Sequence, residues 1–98
     1  MSRTLESVLF DLGEMDPLSI KEALLAQGYR GYRRQPRDCP MAKYLSDQVG
    51  IPYVTTRWHC FPEDHQVGKI TELPGSVQIF IYRFDAGEWP DLEDHERN

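Results

Sequence analysis

Apolar residues recur with helical spacing in the first half of the chain. Within residues 4–12 the leucines and valine fall one helical turn apart, with Thr4 before them as a cap and Gly13 after them as a stop. A second helical pattern begins at Asp16, whose carboxylate can accept the free amide hydrogens of a first turn, and ends at Gly28. We therefore predict two short helices before residue 28.

The middle of the chain changes from helical to strand spacing. A third helix is predicted after a cap at Asp38 or Cys39, and it ends at Gly50. Residues 53–61 are rich in β-branched and aromatic side chains, which favour strands. A turn-like acidic segment follows, and residues 66–73 are expected to form the return strand. The pattern predicts an antiparallel hairpin with one face covered by helices, because a lone hairpin is marginally stable.

Two patterns fit residues 77–86. The apolar side chains alternate as in a strand buried on both faces, and they also recur at the i, i+3, i+4, i+7 spacing of a helix. Residue propensity favours the strand, whereas Pro74 before the segment and residues 85–87 after it favour a capped helix. Trp89 is expected to fold back onto the domain, and residues 93–98 to form a frayed acidic tail.

Length and composition limit the fold to one domain. The chain has 98 residues, of which 40% are hydrophobic, enough for one core but too few residues for two domains. We predict a single α+β domain over residues 1–92, with about four short helices packed against a two-stranded antiparallel hairpin. No run is long enough to span a membrane, and the N-terminus lacks signal-peptide features, so we expect a cytoplasmic protein.

Charge is distributed unevenly along the chain. The formal net charge is −5, which disfavours uniform binding to nucleic acid or to an anionic membrane. Residues 29–38 nevertheless carry four arginines against one acid, Asp38, with two tyrosines among them. These arginines could bind phosphate or carboxylate groups of a partner, or they could neutralise the acidic body of the same domain. The candidate binding residues of this loop are Tyr29, Arg30, Tyr32, Arg33, Arg34 and Arg37.

The predicted strand offers a further candidate. If Tyr53, Thr55, Arg57 and His59 share its outward face, they form a contact surface beside the arginine loop. Arg57 therefore joins the candidate binding residues. The alternative is an ordinary exposed sheet face with no binding role.

Cys39 is a candidate for a reactive thiol because it lies at a predicted helix start, two residues after Arg37. His59 or His65 could act as its base, or Cys39 could be a small buried cap with no chemistry. The same residues with Cys60 do not have zinc-site spacing, because the adjacent His59 and Cys60 point to opposite faces of a strand. We therefore predict no metal and no cofactor, and two free cysteines.

Several short motifs occur in a recognisable order. They are GYRGY at 28–32, CPMAKYL at 39–45, LPGSV at 73–77, then Phe80, FDAG at 84–87 and WPDL at 89–92. This order resembles a group of small uncharacterised proteins of actinobacteria and their phages, over about residues 17–92. The resemblance implies a phage or phage-like accessory protein, and its spacing implies a helix at 77–86, which is the assignment we adopt.

The leading hypothesis is a non-enzymatic binding or regulatory module. It would contact a host or partner protein through the loop at 29–38 and neighbouring aromatic side chains, with no cofactor. The first alternative is a nucleic-acid-associated protein that uses the same arginines, although the net charge disfavours it. The second is an enzyme that depends on Cys39. A homodimer could form if the exposed hairpin edge pairs with a second copy.

Overall fold

The described residues form four helices and one small sheet. The computed structural model of the chain describes residues 3–64, 66 and 68–93. The helices are α1 (Leu5–Gly13), α2 (Pro17–Ala26), α3 (Pro40–Val49) and α4 (Gly75–Asp85), followed by a 3-10 turn at Pro90–Leu92. The predicted α+β class is confirmed, although the antiparallel sheet has three strands where we predicted two. None of the helices in the described part of the chain is long and apolar enough to cross a membrane.

The first three helices begin where the sequence predicts. Thr4 and Asp16 each accept a hydrogen bond from the amide three residues later, at 3.1 and 2.7 Å. Of the two cap candidates for α3, the structure selects Cys39 over Asp38. The Cys39 sulfur accepts a hydrogen bond from the Ala42 amide at 3.3 Å. These side chains satisfy amide hydrogens that have no partner inside the helix.

The segment predicted as a helix over 77–86 lies in α4, which ends at Asp85 with Ala86 as its C-cap. Its buried side chains follow the i, i+3, i+4, i+7 spacing, whereas Ile79 and Tyr82, which a two-sided strand would bury, are about half exposed. A helix buries residues at this spacing on one face, whereas a strand buries alternate residues. The buried face of α4 consists of Val77, Phe80, Ile81 and Phe84.

The strand prediction for residues 53–61 is wrong in one respect, because the chain reverses in the middle of that segment. The strands are β1 (Tyr53–Thr55), β2 (His59–Pro62) and β3 (Thr71–Glu72), in the order β1-β2-β3. The Thr56 hydroxyl accepts hydrogen bonds from the amides of Trp58 and His59, at 3.3 and 3.0 Å. A threonine hydroxyl can stabilise such a turn without glycine or proline, so the usual sequence signals are missing.

The reversal also changes which side chains face outward. Tyr53 and Thr55 are buried, at 8% and 3% exposure, so they do not share an exposed face with Arg57 as predicted. The return strand, predicted over 66–73, is two residues long, and Val67 lies outside the described residues. Pairing of two chains through the edge of β3 stays a prediction.

The C-terminal part of the chain folds back onto the helices. Trp89 packs on Phe80 with their ring centroids 4.9 Å apart, and Leu92 is fully buried, which confirms the predicted return. Glu93, which we assigned to the frayed tail, forms a parallel bridge with Gly31. The rest of that predicted tail, residues 94–98, lies outside the described residues. This return places the 3-10 turn against the start of the arginine loop.

Candidate functional site: a basic cleft and an arginine–aromatic patch

The arginine loop (residues 29–38) is fixed to its surroundings through its own backbone. The Gly31 amide donates to the Leu92 carbonyl at 2.9 Å, which joins the loop to the returning C-terminal segment. The amide of Tyr32, which is half-buried, donates to the Asp38 carbonyl at 2.9 Å and closes the loop on itself. These two hydrogen bonds fix the backbone of the loop, from which its side chains extend.

Arg34 has a backbone conformation that is uncommon for a residue with a side chain. Its φ is 59°, in the left-handed region, and its amide donates to the Asp85 carboxylate at 2.9 Å. This bond ties the loop to the last turn of α4 and helps to maintain a conformation that has an energetic cost. The exposed Arg34 side chain lines a pocket of about 210 Å³ together with Arg57.

Two loop arginines pair with carboxylates of the same chain. Arg33 lies 3.2 Å from Glu93, and Arg37 lies 2.8 Å from Glu63. Neutralisation by the domain's own acids, the alternative to partner binding, therefore applies to these two side chains. The Arg37–Glu63 pair is exposed on both sides, and an exposed ion pair contributes about 0.2–1 kcal/mol, so an incoming anion can compete for Arg37 at little cost.

Arg30 and Lys43 are oriented by main-chain carbonyls instead. The Lys43 ammonium donates to the Arg30 carbonyl at 2.8 Å, and the Arg30 Nε donates to the Asp91 carbonyl at 3.2 Å. A carbonyl fixes a cation in place without cancelling its charge. With Arg37 these two side chains line an open cleft of about 500 Å³, which we call the basic cleft, together with Gly28, Tyr29, Ser46 and Asp47.

Asp47, the remaining charged side chain of the basic cleft, already accepts a hydrogen bond from within the domain. Asp47 is the one acidic side chain that lines the cleft within the described residues, and it accepts a hydrogen bond from the Tyr29 hydroxyl at 2.7 Å. Burial, and then the bond to Asp47, raise the pKa of Tyr29 to about 12, so the phenol stays protonated as the donor. Tyr29 also packs edge-on against Tyr44, with centroids 5.5 Å apart. Tyr29 thus forms a wall of the cleft.

Lys43 was not among the residues singled out from the sequence. It lies on the first turn of α3, directly after the arginine loop. Helical side chains lean toward the N-terminus of their helix, so a lysine at this position extends back over the loop that precedes it. That directional rule is the signal that would have identified Lys43.

Cys39 caps α3, and its burial disfavours the thiolate form that a nucleophile requires. It is buried, and burial raises the pKa of its thiol despite the hydrogen bond from Ala42 and the contact with the Thr55 hydroxyl at 3.0 Å. Its suggested base His59 is exposed on β2, and His65 lies outside the described residues. A protonated thiol in this position is a poor nucleophile at neutral pH.

The described residues contain no cluster of side chains suited to bind a metal ion. Across residues 3–64, 66 and 68–93, no three His, Cys, Asp or Glu side chains form a group that could hold an ion. Both cysteines are free and buried.

Arg57 lies between two aromatic rings at the turn that joins β1 and β2. Its guanidinium carbon is 5.0 Å from the Trp58 ring centroid and 4.4 Å from that of Tyr82 on α4. Each contact is a cation–π interaction worth about 0.5–1 kcal/mol at an exposed site. The structure therefore places Arg57 at the surface, as predicted, but in the company of Trp58 and Tyr82 instead of Tyr53 and Thr55.

Comparison with protein-family models, with curated proteins and with solved structures gave no match to this chain.

Proposed function

We propose that this protein is a non-enzymatic binding module that holds an acidic segment of a partner protein in the basic cleft. The observation that carries the proposal is that carbonyls orient Arg30 and Lys43, and that neither side chain takes part in an ion pair among the described residues. These two cations face one open cleft with Arg37, which pairs with an exposed glutamate. The acid that lines the cleft in the described part of the chain, Asp47, accepts a hydrogen bond from Tyr29. Carboxylates of a partner would supply the missing counter-charge.

A protein partner is favoured over a nucleic acid by the charge around the cleft. The chain carries a net charge of −5, and the Asp91 side chain lies close by, 3.2 Å from Lys21. A nucleic acid carries a negative charge at every unit of its backbone and would meet these carboxylates, whereas a protein segment can place acidic side chains at the cations and uncharged side chains elsewhere. The resemblance to phage accessory proteins would make the partner a host protein of the cytoplasm.

The test is a titration with a synthetic peptide of alternating glutamate and glycine, followed by ¹⁵N–¹H NMR of the whole chain. We expect shifts at the cleft residues, and binding that weakens as salt rises. The double variant Arg30→Glu, Arg37→Glu should weaken binding at least about tenfold, because the removal of one charge-assisted hydrogen bond costs about 1.5 kcal/mol or more.

The matched control is the double variant Lys69→Glu, Arg83→Glu. It makes the same change in net charge at two exposed residues that do not line the cleft. We expect it to bind the peptide within about twofold of the unmodified protein. Equal loss in both variants, no binding at millimolar peptide, or binding of single-stranded DNA or RNA in preference to the peptide would each refute the proposal.

A further inference from the structure

Arg57 contacts two exposed aromatic side chains, Trp58 and Tyr82, which are 51% and 49% exposed. Ile79, one helical turn before Tyr82 on α4, is 46% exposed. Because residues three apart lie on one helix face, Ile79 extends the apolar surface of Tyr82 along α4. We call this surface the arginine–aromatic patch (Arg57, Trp58, Ile79 and Tyr82).

The patch holds its guanidinium in place while its hydrogen-bond donors stay accessible. The guanidinium carbon of Arg57 lies over the rings of both Trp58 and Tyr82. The N–H donors of an arginine lie in the plane of the group, and the ion pairs among the described residues do not include Arg57. An incoming carboxylate could therefore bind in that plane, next to apolar surface already in position.

Two smaller pockets with overlapping linings link Arg57 of the patch to the basic cleft. The pocket of about 210 Å³ at Arg57 shares Gln35 and Pro36 with a neighbouring pocket of about 340 Å³. That second pocket shares Arg37 with the basic cleft. The three pockets therefore follow one another along the arginine loop from Arg30 past Arg37 to Arg57, as an extended segment would require. Acidic residues also line the two smaller pockets, namely Asp38, Glu63 and Asp85. The acidic residues of a partner would therefore have to lie at the arginines.

We propose that the arginine–aromatic patch is the anchor site for the same acidic partner segment, and that it takes a large apolar side chain adjacent to a carboxylate. This inference rests on the proposed function of the basic cleft. Tryptophan, tyrosine and arginine are the residues that most often carry the binding energy of protein interfaces, and all three meet here. The cleft then supplies charge attraction, and the patch supplies specificity for the anchor residue.

The test compares two peptides with the same alternating glutamate and glycine core. One peptide has phenylalanine at both ends, so that a phenylalanine can reach the patch whichever direction the peptide binds in. The other peptide has alanine at both ends. We expect the phenylalanine peptide to bind the unmodified protein at least fivefold more tightly. In the double variant Trp58→Ala, Tyr82→Ala this advantage should fall below twofold, while the affinity for the alanine peptide should stay unchanged.

Phe10→Ala is the matched control, because Phe10 is a 69% exposed aromatic side chain on α1 outside the patch. It should leave the fivefold preference intact. A second readout uses Trp89→Phe, which leaves Trp58 as the one tryptophan. Its emission should shift to the blue with the phenylalanine peptide and not with the alanine peptide, because the anchor removes water from the ring.

The outcomes separate the two proposals. If both peptides bind equally and the loss in Arg30→Glu, Arg37→Glu persists, the anchor site is refuted and the basic cleft stands. If neither peptide binds, both proposals are refuted. If the preference for phenylalanine survives in Trp58→Ala, Tyr82→Ala, or if single-stranded DNA shifts the Trp58 emission where the phenylalanine peptide does not, the patch is not a peptide anchor.

Discussion

At the scale of single residues, Cys39 shows how burial decides between two chemical roles. A helix N-terminus and a nearby arginine stabilise a thiolate, and that effect made Cys39 a candidate nucleophile. Removal of the thiol from water acts in the opposite direction and is the larger cause, so the pKa of Cys39 is raised. The sulfur acts as a neutral acceptor for the Ala42 amide and contacts the buried Thr55 hydroxyl.

This role predicts a difference between two substitutions at Cys39. Cys39→Ala removes the helix cap, at a cost of about 1 kcal/mol, and leaves the buried Thr55 hydroxyl without this partner, at a further cost of about 1 kcal/mol. Cys39→Ser keeps an acceptor at the cap and should cost less than about 1 kcal/mol. Urea unfolding of the three proteins measures these differences in the free energy of unfolding. Equal destabilisation by alanine and serine would contradict the capping role.

At the scale of elements, the arginine loop depends on one position without a side chain. A Cβ atom on Gly31 would lie 1.9 Å from the Asp38 carbonyl oxygen, a backbone atom that cannot move away without opening the loop. The same glycine donates its amide to Leu92, so the close approach joins the loop, the start of α3 and the returning C-terminal segment. The loop is therefore a packed element with fixed ends.

Alanine substitution at two glycines tests this packing. Gly31→Ala should lower the free energy of unfolding by about 3 kcal/mol, as expected for an overpacked site that has to shift the backbone. Gly75→Ala is the matched control at the first residue of α4, where a Cβ meets nothing within 4 Å. That control should be neutral or stabilising by about 0.5 kcal/mol, because it reduces the freedom of the unfolded chain. Equal stability of the two variants in urea unfolding would refute the close packing of the loop.

The composition of residues 53–61 did not reveal the turn inside the hairpin. Residues 53–61 have the composition of one strand, yet the chain turns at Thr56 and the two halves pair with each other, with Thr55 opposite Cys60. That turn moves Trp58 to the surface next to α4. The patch around Arg57 is therefore a consequence of where the hairpin turns.

At the scale of the whole molecule, several titrating side chains are removed from water together. Burial raises the pKa of Cys60 to about 11 and that of Tyr29 to about 12, and it also raises the pKa values of Cys39 and Tyr53. In each case the folded protein keeps a proton that the unfolded chain releases at lower pH. Since the unfolded state then binds fewer protons, alkaline conditions favour unfolding.

Stability should accordingly fall as pH rises from about 9 toward 11. The reference pKa of an unperturbed cysteine thiol is 9.0, so the contribution of Cys60 is complete below that value and is lost progressively up to its folded value of about 11. Urea unfolding at pH 8, 9, 10 and 10.5 measures the slope. Cys60→Ala removes one titrating group and should make the slope shallower, and a free energy of unfolding that is constant across this range would contradict the prediction.

Much of the helical framework was determined by the sequence alone. The starts of α1 and α2 were predicted because caps and the 3.6-residue spacing act between near neighbours. The spacing at 77–86 fitted a strand as well, and the family resemblance helped to select the helix that the structure confirms. The return at Trp89 was expected because a large aromatic side chain is seldom left in a tail. The cluster of arginines at 29–38 was equally visible as a candidate surface.

The tertiary structure alone decided which partner each of the candidate arginines, including Arg57, finds within the domain. Arg33 and Arg37 find carboxylates on distant segments, Arg30 finds a carbonyl, and Arg57 finds the ring of Tyr82 on another element. Ion pairs and stacking depend on distances of a few ångströms between parts of the chain that are far apart in sequence, and the pattern of residue types does not encode those distances.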